Sequence, residues 1–409
     1  MTMGRRVTRT LTPEDRAVSP YLEIPFEVAP GTPSIEVRLT FDRDRGVVDL
    51  GCAGAGAFRG WSGGARSRFV IGADAATPGY LPGELEPGRW AVVLGLHRIP
   101  ADGLDVVVEI DTPASGPAEI EPPPPPRPQR RPRRRLPSDA GFTWVAGDFH
   151  AHTVHSDGTL GRAQLAALAV EEGLDVLAVT DHNTVSHHAG LGAIGDQYGV
   201  TLVPGQEVTT DRGHANAFGA VRWVDFRQHP DAWVSQVADD GGLLSVNHPL
   251  AADCAWHHQL EAPPPLAEIW HWSWLDRRWS GPLAWWNAWG WETIPVGGSD
   301  FHSPEQGRSL AEPLTWVAIE RHSPDDGPVP FEAVIDALRL GRTAVAAGYD
   351  APVLLRVDDE FVAVGADGTA LIDAEGRRRP VHGDLVRFPA APGPHRLEAP
   401  DAAVVAISP

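Results

Sequence analysis

Five apolar runs in this chain each end on side chains able to bind a metal: TWVAGDFHAH, LDVLAVTDHN, TLVPGQE, LLSVNHP and IPVGGSDFH. Short aliphatic runs predict buried strands. Leu165, Leu168 and Ala169, and later Val234, Val237 and Ala238, carry the spacing of helices between them. Strand and helix in alternation predict a parallel α/β sheet or barrel, in which the loops after the strands share one face. Five motifs far apart in sequence would then meet in one site. No internal repeat is present.

The flanking regions read differently. Residues 21–110 alternate with period two (Leu22, Ile24, Phe26, Val28; Ile35, Val37, Leu39, Phe41; Trp90, Val92, Leu94; Val106, Val108, Ile110), which predicts an N-terminal β-sandwich over 1–115. Residues 116–141 contain PPPPPRPQRRPRRR, where dense proline prevents helix or sheet pairing and predicts a polyproline II linker. Its six arginines would either bind an anionic partner or lie along an acidic surface. The metal-motif domain is expected over 142–348 and a small C-terminal β extension over 349–409, where VLLRV and AAVVAI read as short strands.

Composition narrows the partners. A net charge of -20 opposes broad binding to nucleic acid or to anionic lipid, and leaves a small-molecule substrate as the expected partner. Only Cys52 and Cys254 are present, no apolar signal core follows the first residues, and no stretch approaches a membrane span. A cytoplasmic location is expected; oligomeric state is not legible. Every basic residue is arginine, as in proteins of high-GC bacteria.

His150 and His152 are two apart, so in an extended strand both imidazoles project to one side. SDG places Asp157 on a turn that can fold back toward them. TDHN offers Asp181 and His182, GQE offers Glu207, GHANAFG offers His214, NHP offers His248, and SDFH offers Asp300 and His302. The set is nitrogen and oxygen only, which suits Zn, Mn or Fe rather than a thiolate zinc.

In this order the strings resemble the PHP (polymerase and histidinol phosphatase) metallohydrolases over roughly residues 142–348. GQEV, GHANAFG, NHP and GGSDFH look most like the carbaryl-hydrolase-like (CehA/McbA) branch. The resemblance implies a PHP-type distorted β/α barrel and three divalent ions. His150, His152, Glu207 and Asp300 would hold one ion, Glu207, His214 and His248 a second, and Asp157, His182 and His302 a third. It also implies attack by a hydroxide bridging the ions, with Glu207, Asp300 and His302 at the reacting centre.

The leading expectation is a phosphoesterase acting on phosphomonoesters or phosphodiesters. A carbamate, amide or ester hydrolase of the carbaryl-hydrolase type is the alternative, and a partner-binding protein with a structural metal site is the third reading. Arg212 and Arg308 are candidates for clamping a phosphate. His271 belongs with a tryptophan-rich stretch, Trp270 to Trp291, that would form either an apolar substrate wall or a packed core. His155 matches no ligand position, and His187 and His188 read as surface histidines.

Overall fold

The computed structural model describes residues 3–322 and 327–409. It divides into two units: Met1–Pro123 with His152–Gly161 and Asp181–Ala189, and Pro124–Ala151 with Arg162–Thr180 and Gly190–Pro409.

The first unit is built on two four-stranded antiparallel sheets, which makes it the expected β-sandwich. The period-two residues are its core: Ile24, Phe26, Val28, Ile35, Val37, Leu39, Trp90, Val92, Leu94, Val106, Val108 and Ile110 are all buried together. One buried charge interrupts the pattern. Glu36, in strand Ser34–Phe41, is 0% exposed and accepts hydrogen bonds from Arg68 Nε at 2.6 Å, Ser115 N at 2.8 Å and Ser115 Oγ at 2.7 Å. It therefore pins the segment leaving the sandwich to its own third strand.

The second unit centres on a thirteen-stranded mixed sheet. Its parallel pairings join Val176–Val179 to Phe142–Asp148 and Thr201–Thr210, and Leu266–His271 to Leu243–Val246 and Ile294–Gly298. A hairpin, Thr201–Thr210 with Gly213–Phe218, stands antiparallel between these two parallel groups. The expected helices form at Arg162–Glu171, Pro230–Asp239 and Phe331–Arg339.

The barrel expectation needs correcting. Among the described residues the sheet stays open, running from Ile294–Gly298 at one edge to Arg378–Pro380 at the other. Side chains do part of the closing. Thr315 Oγ1 accepts from Gly297 N at 2.8 Å and donates to Gly297 O at 3.0 Å, and Thr343 Oγ1 donates to Pro295 O at 3.1 Å. These hydroxyls satisfy an edge whose backbone finds no ladder partner there. Beyond Thr343–Ala346 the sheet continues into C-terminal strands such as Val404–Ser408 and His395–Glu398, and a separate three-stranded sheet holds Val353–Val357, Glu360–Val364 and Leu385–Pro389.

No helix or strand forms in the proline-arginine stretch, and several of its arginines lie along the second unit. Arg133 Nε meets Asp175 at 3.0 Å, Arg130 donates to Leu174 O at 2.8 Å, and Arg134 donates to Tyr349 O at 3.0 Å and Ala351 O at 2.7 Å. Among the described residues no helix is long and apolar enough to cross a membrane.

Burial works against ionising Glu36, but its bonds to Arg68 and Ser115 outweigh it and bring the carboxyl from 4.5 to about 2. A depressed carboxyl contributes stability above its unfolded value and loses it as pH falls through the folded one. Glu36→Gln should therefore cost about 2–4 kcal/mol near neutral pH. Its deficit against wild type should shrink between pH 4.5 and 2. Urea unfolding across that range checks this, and a pH-independent deficit would contradict it.

Candidate metal centre

In the second unit the candidate ligands stand at strand ends or on the central hairpin. Pairing sets His214 opposite Thr209, two residues from Glu207, so the pleat puts Glu207 and His214 on one face. His150 follows strand Phe142–Asp148, His248 follows Leu243–Val246, and Asp300 and His302 follow Ile294–Gly298. His248 and Asp300 take left-handed backbone, with φ of 26° and 51°. Non-glycine residues rarely adopt it, and where they do the surrounding structure enforces it.

Glu207 is the hub. Its Oε1 lies 3.2 Å from His150 Nε2, 3.1 Å from His214 Nδ1 and 3.4 Å from His248 Nε2, and accepts a 2.8 Å hydrogen bond from Asn247 Nδ2. His150 Nε2 is also 3.3 Å from Asp300 Oδ1. His302 Nδ1 sits 2.9 Å from the Asp300 carbonyl, a donation that assigns its lone pair to Nε2.

Two buried carboxylates escaped the sequence reading. Glu268, within strand Leu266–His271, takes His150 Nδ1 at 2.7 Å on one oxygen and the His248 backbone N–H at 2.9 Å on the other. A proton held on His150 Nδ1 by Glu268 leaves the Nε2 lone pair facing Glu207 and Asp300. Acceptor then faces acceptor, an arrangement that positive charge between them satisfies, and this is the tautomer that metal-ligating histidines adopt. Gly298 permits the close packing, because a Cβ there would lie 2.6 Å from His150 Cβ and 2.8 Å from Glu268 Oε1. Asp148, 0% exposed, accepts the N–H groups of His150, Ser299 and Ala311, and burial raises its carboxyl to about 6. It ties the loop after one strand to the loop after another.

The electrostatics agree with this donor set. Burial works against a charge on His150, but Glu268, Glu207 and Asp300 outweigh it and hold the imidazole well above its ordinary pKa. The pocket is thus a negative field that favours positive charge, whether a proton or a cation. With nitrogen and oxygen donors only, the residues fit divalent Zn, Mn or Fe.

In the first unit, His152, Asp157 and His182 come together. Their ligand atoms lie within 4.8 Å of one another, and the His152 and His182 rings stack at 4.4 Å. Asp181, a candidate from the TDHN string, is structural instead. Its carboxylate accepts from Thr153 N at 2.8 Å, Thr153 Oγ1 at 2.7 Å and Ser156 Oγ at 2.7 Å, and meets His187 Nδ1 at 3.2 Å. Burial alone would raise its pKa, yet His187, His155 and His152 bring it to about 2. His187 is 0% exposed, against the surface reading. His155 bridges Ser186 Oγ at 2.7 Å and Glu121 at 3.0 Å.

The sandwich itself holds these loops. Arg66 donates to Val154 O at 2.5 Å and Ser156 O at 3.0 Å, directly before Asp157. Gly79 N donates to Ser186 Oγ at 3.1 Å, and Gly79 O accepts from Thr184 Oγ1 at 2.8 Å, close to His182.

The remaining candidates separate. Arg212 is exposed and donates to His257 O at 2.9 Å. Arg308 Nη1 lies 3.7 Å from Asp300 Oδ2. His271 is 2% exposed, its ring 6.4 Å from that of His248. The tryptophan-rich stretch divides as well: Trp286 is packed in the core, whereas Trp279 and Trp291 are 55% and 44% exposed.

No family model matches the chain. Among curated proteins it is 25% identical over 121 residues to the uncharacterized protein MJ1587 of Methanocaldococcus jannaschii, covering 27% of this chain and 71% of that one. It is 33% identical over 64 residues to a 5'-3' exoribonuclease of Haemophilus influenzae, covering 16% of this chain and only 23% of the relative. Among solved structures, a two-domain protein of Bacteroides vulgatus containing a predicted PHP-like metal-dependent phosphoesterase matches 69% of this chain and 100% of its own, at 18% identity and a TM-score of 0.44.

Two substitutions test the supports. Glu268→Gln should lower divalent-metal affinity roughly 10–100-fold with the fold intact, as loss of a partner orienting a ligand histidine does. Competition against a chelating dye reads this, and unchanged affinity would show that His150 is oriented without it. Arg66→Ala should weaken metal bound at His152, Asp157 and His182 while sparing that at Glu207; equal weakening at both would refute a role confined to the Asp157 turn.

Proposed function

We propose that this chain is a metal-dependent hydrolase of the PHP type, and that its reaction is hydrolysis of a phosphate ester of a small molecule. The observation that carries the reading is the buried Glu207 carboxylate with three imidazole nitrogens within 3.4 Å of one oxygen. Such a donor set is costly to bury unless a cation compensates it.

Divalent ions held there would lower the pKa of coordinated water toward neutrality and polarise the substrate's oxygens. The chain's own residues do the rest. Glu268 fixes the His150 ring, Asn247 orients the Glu207 carboxylate, and Asp148 holds the loop that presents Asp300. Glu207, Asp300 and His302 are the groups we assign to the reacting centre. We assign three ions, two to the set around Glu207 and Asp300 and one to the set that includes Asp157 and His182, with zinc, manganese or iron as the metal. Both cysteines are free, which fits a reducing cytoplasm.

Carbamate or ester hydrolysis is the second reading, favoured by the Trp272 indole, which packs on Arg308 beside Asp300. A partner-binding protein with a structural metal is the weaker third, because a structural site has no use for an arginine left without a hydrogen bond beside a candidate ligand.

The test is turnover of a phosphomonoester, a phosphodiester and an aryl carbamate side by side, after chelation and after return of zinc, manganese or iron. Phosphate-ester turnover that disappears on chelation, returns with metal and is absent from the His150→Ala/His152→Ala double variant is the expected result. Carbamate turnover alone would favour the second reading, and bound metal with no turnover the third.

A further inference from the structure

Several arginines on the second unit are spent on carboxylates. Arg222 meets Asp240, Arg227 meets Asp225, Arg278 meets Asp276 and Arg339 meets Asp336, each within hydrogen-bond distance. Arg308 differs. Its guanidinium stands over the Trp272 ring, the Cζ 3.8 Å from the ring centroid, and its side chain is 31% exposed. Its one ion contact, to Asp300 Oδ2 at 3.7 Å, is too long for a hydrogen bond, and no other partner meets the group among the described residues. Five N–H donors are therefore held in a fixed plane, unspent, beside a candidate metal ligand.

The neighbouring residues add to this. Trp272 Nε1 is buried without a hydrogen-bond partner. So is Nε2 of His271, whose Nδ1 meets Ser273 Oγ at 2.8 Å. Buried polar groups in native proteins are almost always satisfied, and a run of unsatisfied ones beside a metal centre points to a bound molecule as the missing partner.

We infer that Arg308, pre-oriented on Trp272, is the specificity-determining residue of this site and selects substrates that present a phosphoryl group. The inference rests on the hydrolase reading above and names the residue that selects its substrate. A phosphoryl group offers two or more anionic oxygens at the spacing of the guanidinium fork. A neutral carbamate or carboxylic ester offers a single carbonyl oxygen and would leave the fork unfilled. Stacking on the indole restricts the long arginine side chain in advance, so little conformational freedom is lost when the anion arrives. Lysine offers neither the fork nor the planar stack, and cannot replace it.

The experiment compares metal-loaded wild type with Arg308→Ala and Arg308→Lys. Inorganic phosphate binding is read by calorimetry, kcat and KM are measured for p-nitrophenyl phosphate and for the neutral p-nitrophenyl acetate, and metal content is determined on each preparation. The expected result is a roughly 10–100-fold weaker phosphate affinity and a similarly raised KM for the phosphate ester in both variants. Metal content should stay at the wild-type level, and acetate turnover should fall far less than phosphate-ester turnover. Unchanged phosphate affinity in Arg308→Ala, equal losses on the phosphate and acetate esters, or no phosphate binding by wild type would overturn the inference. The hydrolase reading fails separately: if wild type turns over no ester yet loses phosphate affinity on Arg308→Ala, the clamp stands and the reading falls.

Discussion

A single buried carboxylate oxygen, Glu207 Oε1, draws imidazoles from three separate segments of the second unit to within 3.4 Å. Removing that much charge from water is expensive, and the cost is met only if compensating charge arrives. The supporting structure is consistent with that demand. Glu268 holds the His150 ring from behind, Asp148 fixes the neighbouring loops through three backbone N–H groups, and His248 and Asp300 accept left-handed backbone to face the hub.

The sheet makes this possible at low sequence cost. Polar residues appear where apolar strands end or where the central hairpin crosses, so core packing and ligand placement do not compete for the same positions. Gly297 and Gly298 mark where this is tightest: a Cβ at the first would lie 2.7 Å from Val345 Cγ1, and one at the second would meet the His150 Cβ. In the first unit a different solution serves the same end. Arg66 and Gly79, both from the sandwich, fasten the loops that carry Asp157 and His182 through main-chain hydrogen bonds.

Much of this was legible in the sequence, for a physical reason. An apolar run that ends in histidine or aspartate breaks the hydrophobic pattern, so His150, Glu207, His248 and Asp300 stood out. The sandwich was legible because one-sided burial imposes a period of two. Glu268 was hidden because it lies inside a strand buried along its whole length, where no alternation marks a face. Asp181 was offered by the same string as His182, but adjacency says nothing about direction, and its carboxylate is taken up by Thr153, Ser156 and His187. That the sheet stays open was not legible either, since the bonding at its edge depends on side chains such as Thr315 and Thr343 that carry no local signature.

The central claim is that a metal ion, and not a proton, balances the charge gathered at Glu207. Anomalous diffraction from crystals grown with zinc, recorded on both sides of the zinc absorption edge, tests it directly. The account predicts a zinc-specific peak about 2.0–2.2 Å from both a Glu207 carboxylate oxygen and His150 Nε2. Absence of that peak at full zinc occupancy in solution, with His150 Nε2 hydrogen-bonded straight to Glu207, would contradict it.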